Sequence, residues 1–263
     1  MYDELQLYAP ISSYTNRPIF SSQSAFKIQP FNVGYTTTAM AKKKYVATGA
    51  SFITTGGTDS FRIGDLSATG WDWENDELRI LDAATANPSS SMFYLSKAEA
   101  VDMLGEGAEA GWYDFDGNCY NDTTVNLGQG FMTRLLSDVT FQSAGQVYQD
   151  AFACSYMGAT KNAKYNMIPN PLPKTFKLGS ISATGWDWEN DELRVLDPQT
   201  ANPTASMFYL TKAEAMDMLS DKDAAAGWYD FDGNCYNDTD VEVGAGFMTR
   251  LLSDVTLVFP AAL

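Results

Sequence analysis

Gly70-Trp71-Asp72-Trp73-Glu74-Asn75-Asp76-Glu77-Leu78-Arg79, GWDWENDELR, returns letter for letter at Gly185–Arg194. The match extends outward from this phrase. From Ser67 to Leu104 and from Ser182 to Leu219 about 31 of 38 residues are identical, and from Gly111 to Thr140 and Gly227 to Thr256 about 26 of 30. The loop between the two blocks is one residue longer in the second copy, Ser220–Ala226 against Gly105–Ala110. A repeat of roughly 115 residues has the size of a domain, well above a solenoid unit of a few dozen. The 263 residues therefore read as an N-terminal arm over 1–25 and two homologous units, 26–145 and 146–263.

Within each unit the apolar pattern alternates over short runs. ELRILD (Glu77–Asp82) and SMFYL (Ser91–Leu95) read as strands on either side of a TANP turn. Ser96 followed three residues later by Glu99, and Thr211 by Glu214, are capping boxes that start one short helix per unit. Ala98, Val101 and Leu104, or their neighbours, are expected to face inward there. Asp116-Gly117-Asn118 marks a hairpin, and GFMTRLLSDVTF closes the unit with strands. The expected fold is mainly β: two β-sandwich or barrel-like domains of about seven or eight strands, each with one short helix. The arm, with Pro10 and Pro18 set among Tyr2, Leu5, Leu7, Tyr8, Ile11, Tyr14, Ile19 and Phe20, favours an extended conformation. It is suited to adding a strand to an open sheet edge.

Composition narrows the function classes. Histidine is absent, which removes the usual general base and the commonest metal ligand. A net charge of −16 argues against nucleic acid as a partner. The charge is segmental: residues 1–64 carry six basic and three acidic groups, residues 65–141 three and fourteen, residues 142–181 four and one, and residues 182–263 four and fifteen. Each unit thus opens basic, with Lys42-Lys43-Lys44 in the first and Lys161 and Lys164 in the second, and continues acidic. The basic opening of one unit is suited to meeting the acidic body of another. No apolar run reaches the length of a membrane span, and MYDELQLYAP does not read as a signal peptide.

Four constellations are candidates for function. Trp71, Trp73, Trp186 and Trp188, beside dense carboxylates, offer platforms for a sugar ring. Asp114, Asp116, Asn118 and Asp122, matched by Asp230, Asp232, Asn234 and Asp238, place alternate oxygens around a glycine as a structural calcium loop does, though not with EF-hand spacing. The odd set Cys119, Cys154 and Cys235 offers thiols for bridges between subunits. The eight apolar arm residues complete the list. No phosphate loop, CxxC pair or serine elbow occurs, so the chain is expected not to be an enzyme and, calcium aside, to carry no cofactor.

NVGY (Asn32–Tyr35), GWYDFDG (Gly111–Gly117) and GQGF (Gly128–Phe131) resemble a pattern in uncharacterised, exported, β-rich bacterial proteins: an N-V-x-G-Y opening, one residue shorter here, a G-W-Y-D strand and a closing G-x-G-F strand. The second copy has GWYDFDG from Gly227 and GAGF from Gly244, with Ala153-Cys154-Ser155-Tyr156 standing in place of the NVGY tetrad. The resemblance implies an extracellular or cell-surface location and supplies no catalytic residues. Two like units in series present similar surfaces at both ends, so a contact between chains that imitates the contact within one would propagate head-to-tail. The expectation is a structural subunit whose main partner is itself, forming a filament or surface array. The alternatives are a two-copy carbohydrate-binding or adhesion module, with surface glycans as its partners, and a capsid or tail protein of a virus.

Overall fold

The computed structural model describes residues 33–40, 44–49, 60–82, 87–148, 150–158, 164–197 and 202–261, with the backbone alone for 33–40, 44–49 and 164. The arm over 1–25 lies outside the described residues, as do Lys42, Lys43 and Lys161.

The closing phrase FMTRLLSDVT, shared by both copies, organises the sheets. In the first copy it supplies β9 (Gly130–Leu135) and β10 (Val139–Gln146). Their alternation sends Phe131, Thr133, Leu135, Val139 and Phe141 inward. Around these two strands the chain nests its pairings. β1 (Val33–Met40) pairs with β10, β2 (Lys44–Gly49) with β9, and β3 (Ser60–Arg62) with β8 (Thr124–Asn126). β6 (Phe93–Leu95) pairs with β7 (Gly111–Tyr113). β4 (Leu66–Thr69) joins the free side of β10, and β5 (Glu77–Ile80) that of β9. Every pairing is antiparallel, so none requires a crossover helix. Among the described residues of this copy the one α-helix, α1 (Lys97–Leu104), starts on the expected capping box.

The second copy repeats this succession: β11 (Phe152–Tyr156), β12 (Lys164–Pro169), β13 (Phe176–Lys177), β14 (Ser182–Thr184), β15 (Glu192–Leu196), β16 (Phe208–Leu210), α2 (Lys212–Met218), β17 (Gly227–Tyr229), β18 (Asp240–Val241), β19 (Gly246–Leu251) and β20 (Val255–Phe259). The fold is mainly β, as expected, but its strands are shorter and more numerous than seven or eight per copy. Among the described residues they are shared among eight small sheets of two or three strands. The boundary expected after residue 145 falls inside β10, and Val33–Leu263 forms one compact unit.

Each copy has its own core, with a tryptophan at its centre. Trp112 and Trp228 are fully buried and donate their Nε1–H to the Leu66 and Ile181 carbonyls at 2.7 and 3.1 Å. Inside α1 the inward residue is Ala100; Ala98 and Leu104, expected to face the core, are exposed. The helix packs Ala100 on a small cluster of Phe93, Leu95 and Tyr113.

Two expectations are corrected here. Pairing with the identical closing strand sets Ala153–Tyr156 opposite Val255–Val258, whereas Thr37–Met40 lie opposite Val139–Gln142. The tetrad Ala153–Tyr156 therefore replaces Thr37–Met40, and NVGY has its place further upstream. The contact between copies is also not of the head-to-tail kind. β12 packs against β2 and β9, and β19 against β2. Since β12 and β19 are the counterparts of β2 and β9, both copies offer the same strands, in the manner of a two-fold axis. At this junction a Cβ on Gly130 would lie 1.9 Å from the Met167 carbonyl oxygen, so only glycine permits the approach.

Candidate functional site

The duplicated phrase folds into a turn held by its own carboxylates. Asp72 Oδ1 accepts from Glu74 N at 3.1 Å and its Oδ2 from Asn75 Nδ2 at 2.9 Å. Asp76 is buried and reaches across the fold: its Oδ1 accepts from Leu136 N at 2.6 Å and Ser137 N at 3.1 Å, its Oδ2 from Asp72 N at 2.9 Å. Asp191 makes the same three bonds with Leu252, Ser253 and Asp187. This carboxylate staples the turn before β5 to the turn after β9. Glu77 is engaged next door. Partial burial works against its charge, but the Ser91 hydroxyl and the guanidiniums of Arg79 and Arg134 outweigh this and hold its carboxyl below the ordinary value.

The Asp114 loop is closed by donors from within the loop. Asp114 Oδ1 accepts from Asp116 N and Asn118 N, at 3.0 and 2.9 Å, and Oδ2 from Asn118 Nδ2 and Tyr120 Oη, at 2.9 and 3.0 Å. Those bonds, the Asn118 side chain first, hold the Asp114 carboxyl below its ordinary value. Asp122 points elsewhere, with its side chain 99% exposed and Arg62 3.8 Å away. The residues expected to share a calcium ion, Asp114, Asp116, Asn118 and Asp122, are thus not brought together as ligands. Asp230 and Asn234 repeat the same closed loop beside Asp232 and Asp238. Among the described residues no group of three or more acidic or cysteine side chains is arranged to hold a metal.

The tryptophans expected as sugar platforms are partly buried against other aromatic rings. Trp71 and Trp186 abut Trp112 and Trp228 edge-on, with ring centroids 5.1 and 5.0 Å apart. Trp73 and Trp188 tilt onto Phe93 and Phe208 at 6.1 and 6.0 Å. A cleft of about 460 Å³ opens beside Trp71, lined by Ser67–Trp71, Tyr94, Ser96 and Glu99. Among the described residues the buried Trp71 Nε1 and its counterpart in Trp186 have no hydrogen-bond partner.

The three thiols divide. Cys119 and Cys235 are exposed. Cys154, expected as a bridge to another subunit, instead sits at the junction of the two copies, where its Sγ donates to the Leu127 carbonyl at 3.3 Å. Tyr156 Oη donates to the Gly128 carbonyl at 2.9 Å beside it. Burial pushes the Cys154 thiol up to about 11 and Tyr156 well above its ordinary value.

One surface combines features that sequence reading did not assemble. Phe115 and Phe231, at the hairpin tips, are 69% and 71% exposed. Their rings lie 4.9 and 4.8 Å from Phe93 and Phe208. Leu104 sits over Gly117, and Leu219 over Gly233, so the end of each helix leans on the tip of its hairpin. Trp73 and Trp188, partly covered, tilt onto the same Phe93 and Phe208, so each copy presents one apolar face; Met103 and Met218 are half-exposed on the helix that ends there. The available signal was a phenylalanine between two aspartates in a turn, where polar residues are the rule. Exposed carboxylates are chain neighbours of three of these residues: Glu74 of Trp73, Asp102 of Met103, Asp116 of Phe115.

No protein-family model, curated protein or solved structure matches the chain. Among the described residues no helix is long and apolar enough to cross a membrane.

Proposed function

We propose that the chain is a non-enzymatic structural subunit that associates with its own copies head-to-tail into a filament or surface array. The observation that carries this reading is the duplicated apolar face, with Phe115 69% and Phe231 71% exposed. Large exposed apolar groups in a soluble protein mark association surfaces. Two such faces on one chain let it engage two neighbours, which is the condition for open growth. The intramolecular junction is two-fold, so head-to-tail growth uses unlike surfaces. An extracellular or cell-surface setting is part of the proposal and rests on the resemblance to exported β-rich proteins. The arm over 1–25 is proposed to add a strand to the next subunit. Negative-stain images and sedimentation velocity of the purified protein test this: elongated assemblies that grow with concentration are expected, and a monomer at every concentration would overturn the reading.

The cleft beside Trp71, with Tyr94, Ser96 and Glu99 on its walls and an unpartnered indole N–H, favours a second reading as a two-copy glycan module. A glycan array with no signal above background would remove it.

A further inference from the structure

A cleft of about 430 Å³ opens where the two copies meet, between the turn over residues 126–129 on one side and Tyr148 with β11 on the other. Going beyond the reading as a self-associating subunit, and independently of it, we infer that this cleft binds one neutral sugar residue per chain.

Its walls are preformed. Cys154 Sγ and Tyr156 Oη donate to the Leu127 and Gly128 carbonyls at 3.3 and 2.9 Å and tie β11 to the turn. Gln129 braces the turn in its place: its Oε1 accepts from Asn126 N at 3.1 Å, and its Nε2 donates to the Leu81 carbonyl at 2.9 Å. A guest entering such a cleft has little of the protein left to order, which favours a small ligand.

The lining selects an uncharged guest. No Asp, Glu, Lys or Arg side chain lines the cleft, and burial keeps Cys154 and Tyr156 protonated at neutral pH. An ion entering would give up water with no countercharge to replace it. An anion would also meet the −16 of the chain. What the cleft offers instead is aromatic surface beside hydrogen-bonding groups. Tyr148 and Phe152 stand nearly perpendicular, with ring centroids 5.6 Å apart and planes at 81°, and Phe259 stacks on Phe152 at 5.2 Å. A flat aromatic guest is held best between parallel rings, which this pair does not form. A sugar needs only one ring for its C–H face, while its hydroxyls, each both donor and acceptor, meet the amide of exposed Asn126 and the hydroxyl of Tyr148.

The site is single although the chain is duplicated. NLGQ over 126–129 is matched by EVGA over 242–245, and FACSY of β11 by TTTAM over 36–40, with one glycine alone in common. The second set thus has Glu242 for Asn126 and threonines for Phe152 and Cys154. The lining of the cleft beside Trp71, by contrast, recurs in the second copy with Thr211 for Ser96 as its one change.

Saturation-transfer NMR on the full-length protein tests the assignment, with glucose, galactose, mannose and N-acetylglucosamine as probes and glucuronate and indole as controls. At least one neutral sugar is expected to take up magnetisation, more than either control does. Asn126→Ala combined with Tyr148→Ala should lower that uptake at least about fivefold. The same sugar should slow alkylation of Cys154 by iodoacetamide at pH 9 at least about threefold, since the thiol lines the cleft. Should circular dichroism show the double variant unfolded, the protection of Cys154 in the wild type decides alone. Uptake by none of the neutral sugars would overturn the inference. Uptake that survives the double variant and leaves Cys154 unprotected would put the sugar at another site, and would overturn it as well. Uptake by indole alone, with Cys154 protected, would overturn the class of guest. None of these outcomes turns on whether the chain assembles, so the inference and the reading as a self-associating subunit fail separately.

Discussion

Asp76 and Asp191 sit at the buried ends of the two acidic phrases, each accepting three backbone N–H groups. A buried donor left without its acceptor costs about 1–3 kcal/mol. Asp76→Ala is therefore expected to lower stability by about 3 kcal/mol, read as a shift in urea midpoint, and Asp191→Ala should do the same in the other copy. Acid acts on a different set. The folded Glu77, Asp114 and Asp230 carboxyls lie below their ordinary values. A depressed folded value means that the unfolded chain binds the proton more readily, so these groups stabilise the fold above the ordinary carboxylate range, near pH 4. That contribution is lost as pH falls through the folded values. Melting temperatures measured downward from pH 5 should fall, and a flat profile would contradict the assignment. The capping boxes were legible in the sequence because Ser96 and Glu99 are three residues apart and bond each other's backbone. The role of Asp76 was not, since its donors at Leu136 and Ser137 lie 60 and 61 residues along the chain. A cluster of acids in sequence does not disclose which one is stapled inward.

At the scale of elements, what was legible depended on locality. The hairpin at Asp116–Asn118, the short helices and the alternating strands follow from neighbouring residues. The register of β11 against β20 does not, which is why Ala153–Tyr156 took the wrong counterpart until its partner strand fixed it. The junction of the copies was equally hidden, because GQGF reads as a strand with glycines and gives no sign that Met167 of β12 lies against Gly130. A methyl added there must displace backbone, so Gly130→Ala should destabilise the protein by about 3 kcal/mol, measured by thermal unfolding. Gly128, with φ +84° and Cys154 Sγ 2.2 Å from where its Cβ would stand, belongs to the same contact. Cys154 itself, with its thiol at about 11 and largely covered, should resist alkylation at neutral pH, because the thiolate is the reacting species. Mass spectrometry of native protein treated with iodoacetamide should find Cys119 and Cys235 modified before Cys154; equal labelling of all three would show that the junction opens.

For the whole molecule, removal of residues 1–25 separates the two proposed modes of contact. If the arm adds a strand to a neighbour, the shortened chain should remain folded and sediment as a monomer; assemblies that persist would assign growth to the apolar faces alone. The acidic bodies were legible from charge counting, and the exposed phenylalanines were not, since only the helix leaning on the hairpin gathers Leu104 and Phe115 on one side. The nested strand order has a consequence of its own. In each copy the first strand lies beside the last, β1 on β10 and β11 on β20, so a copy receives and releases the chain at the same spot. A unit with that property can be copied in tandem by genetic duplication without rerouting any strand. Its termini can equally be joined and reopened in an outer loop, so a single repeat is a natural candidate for circular permutation.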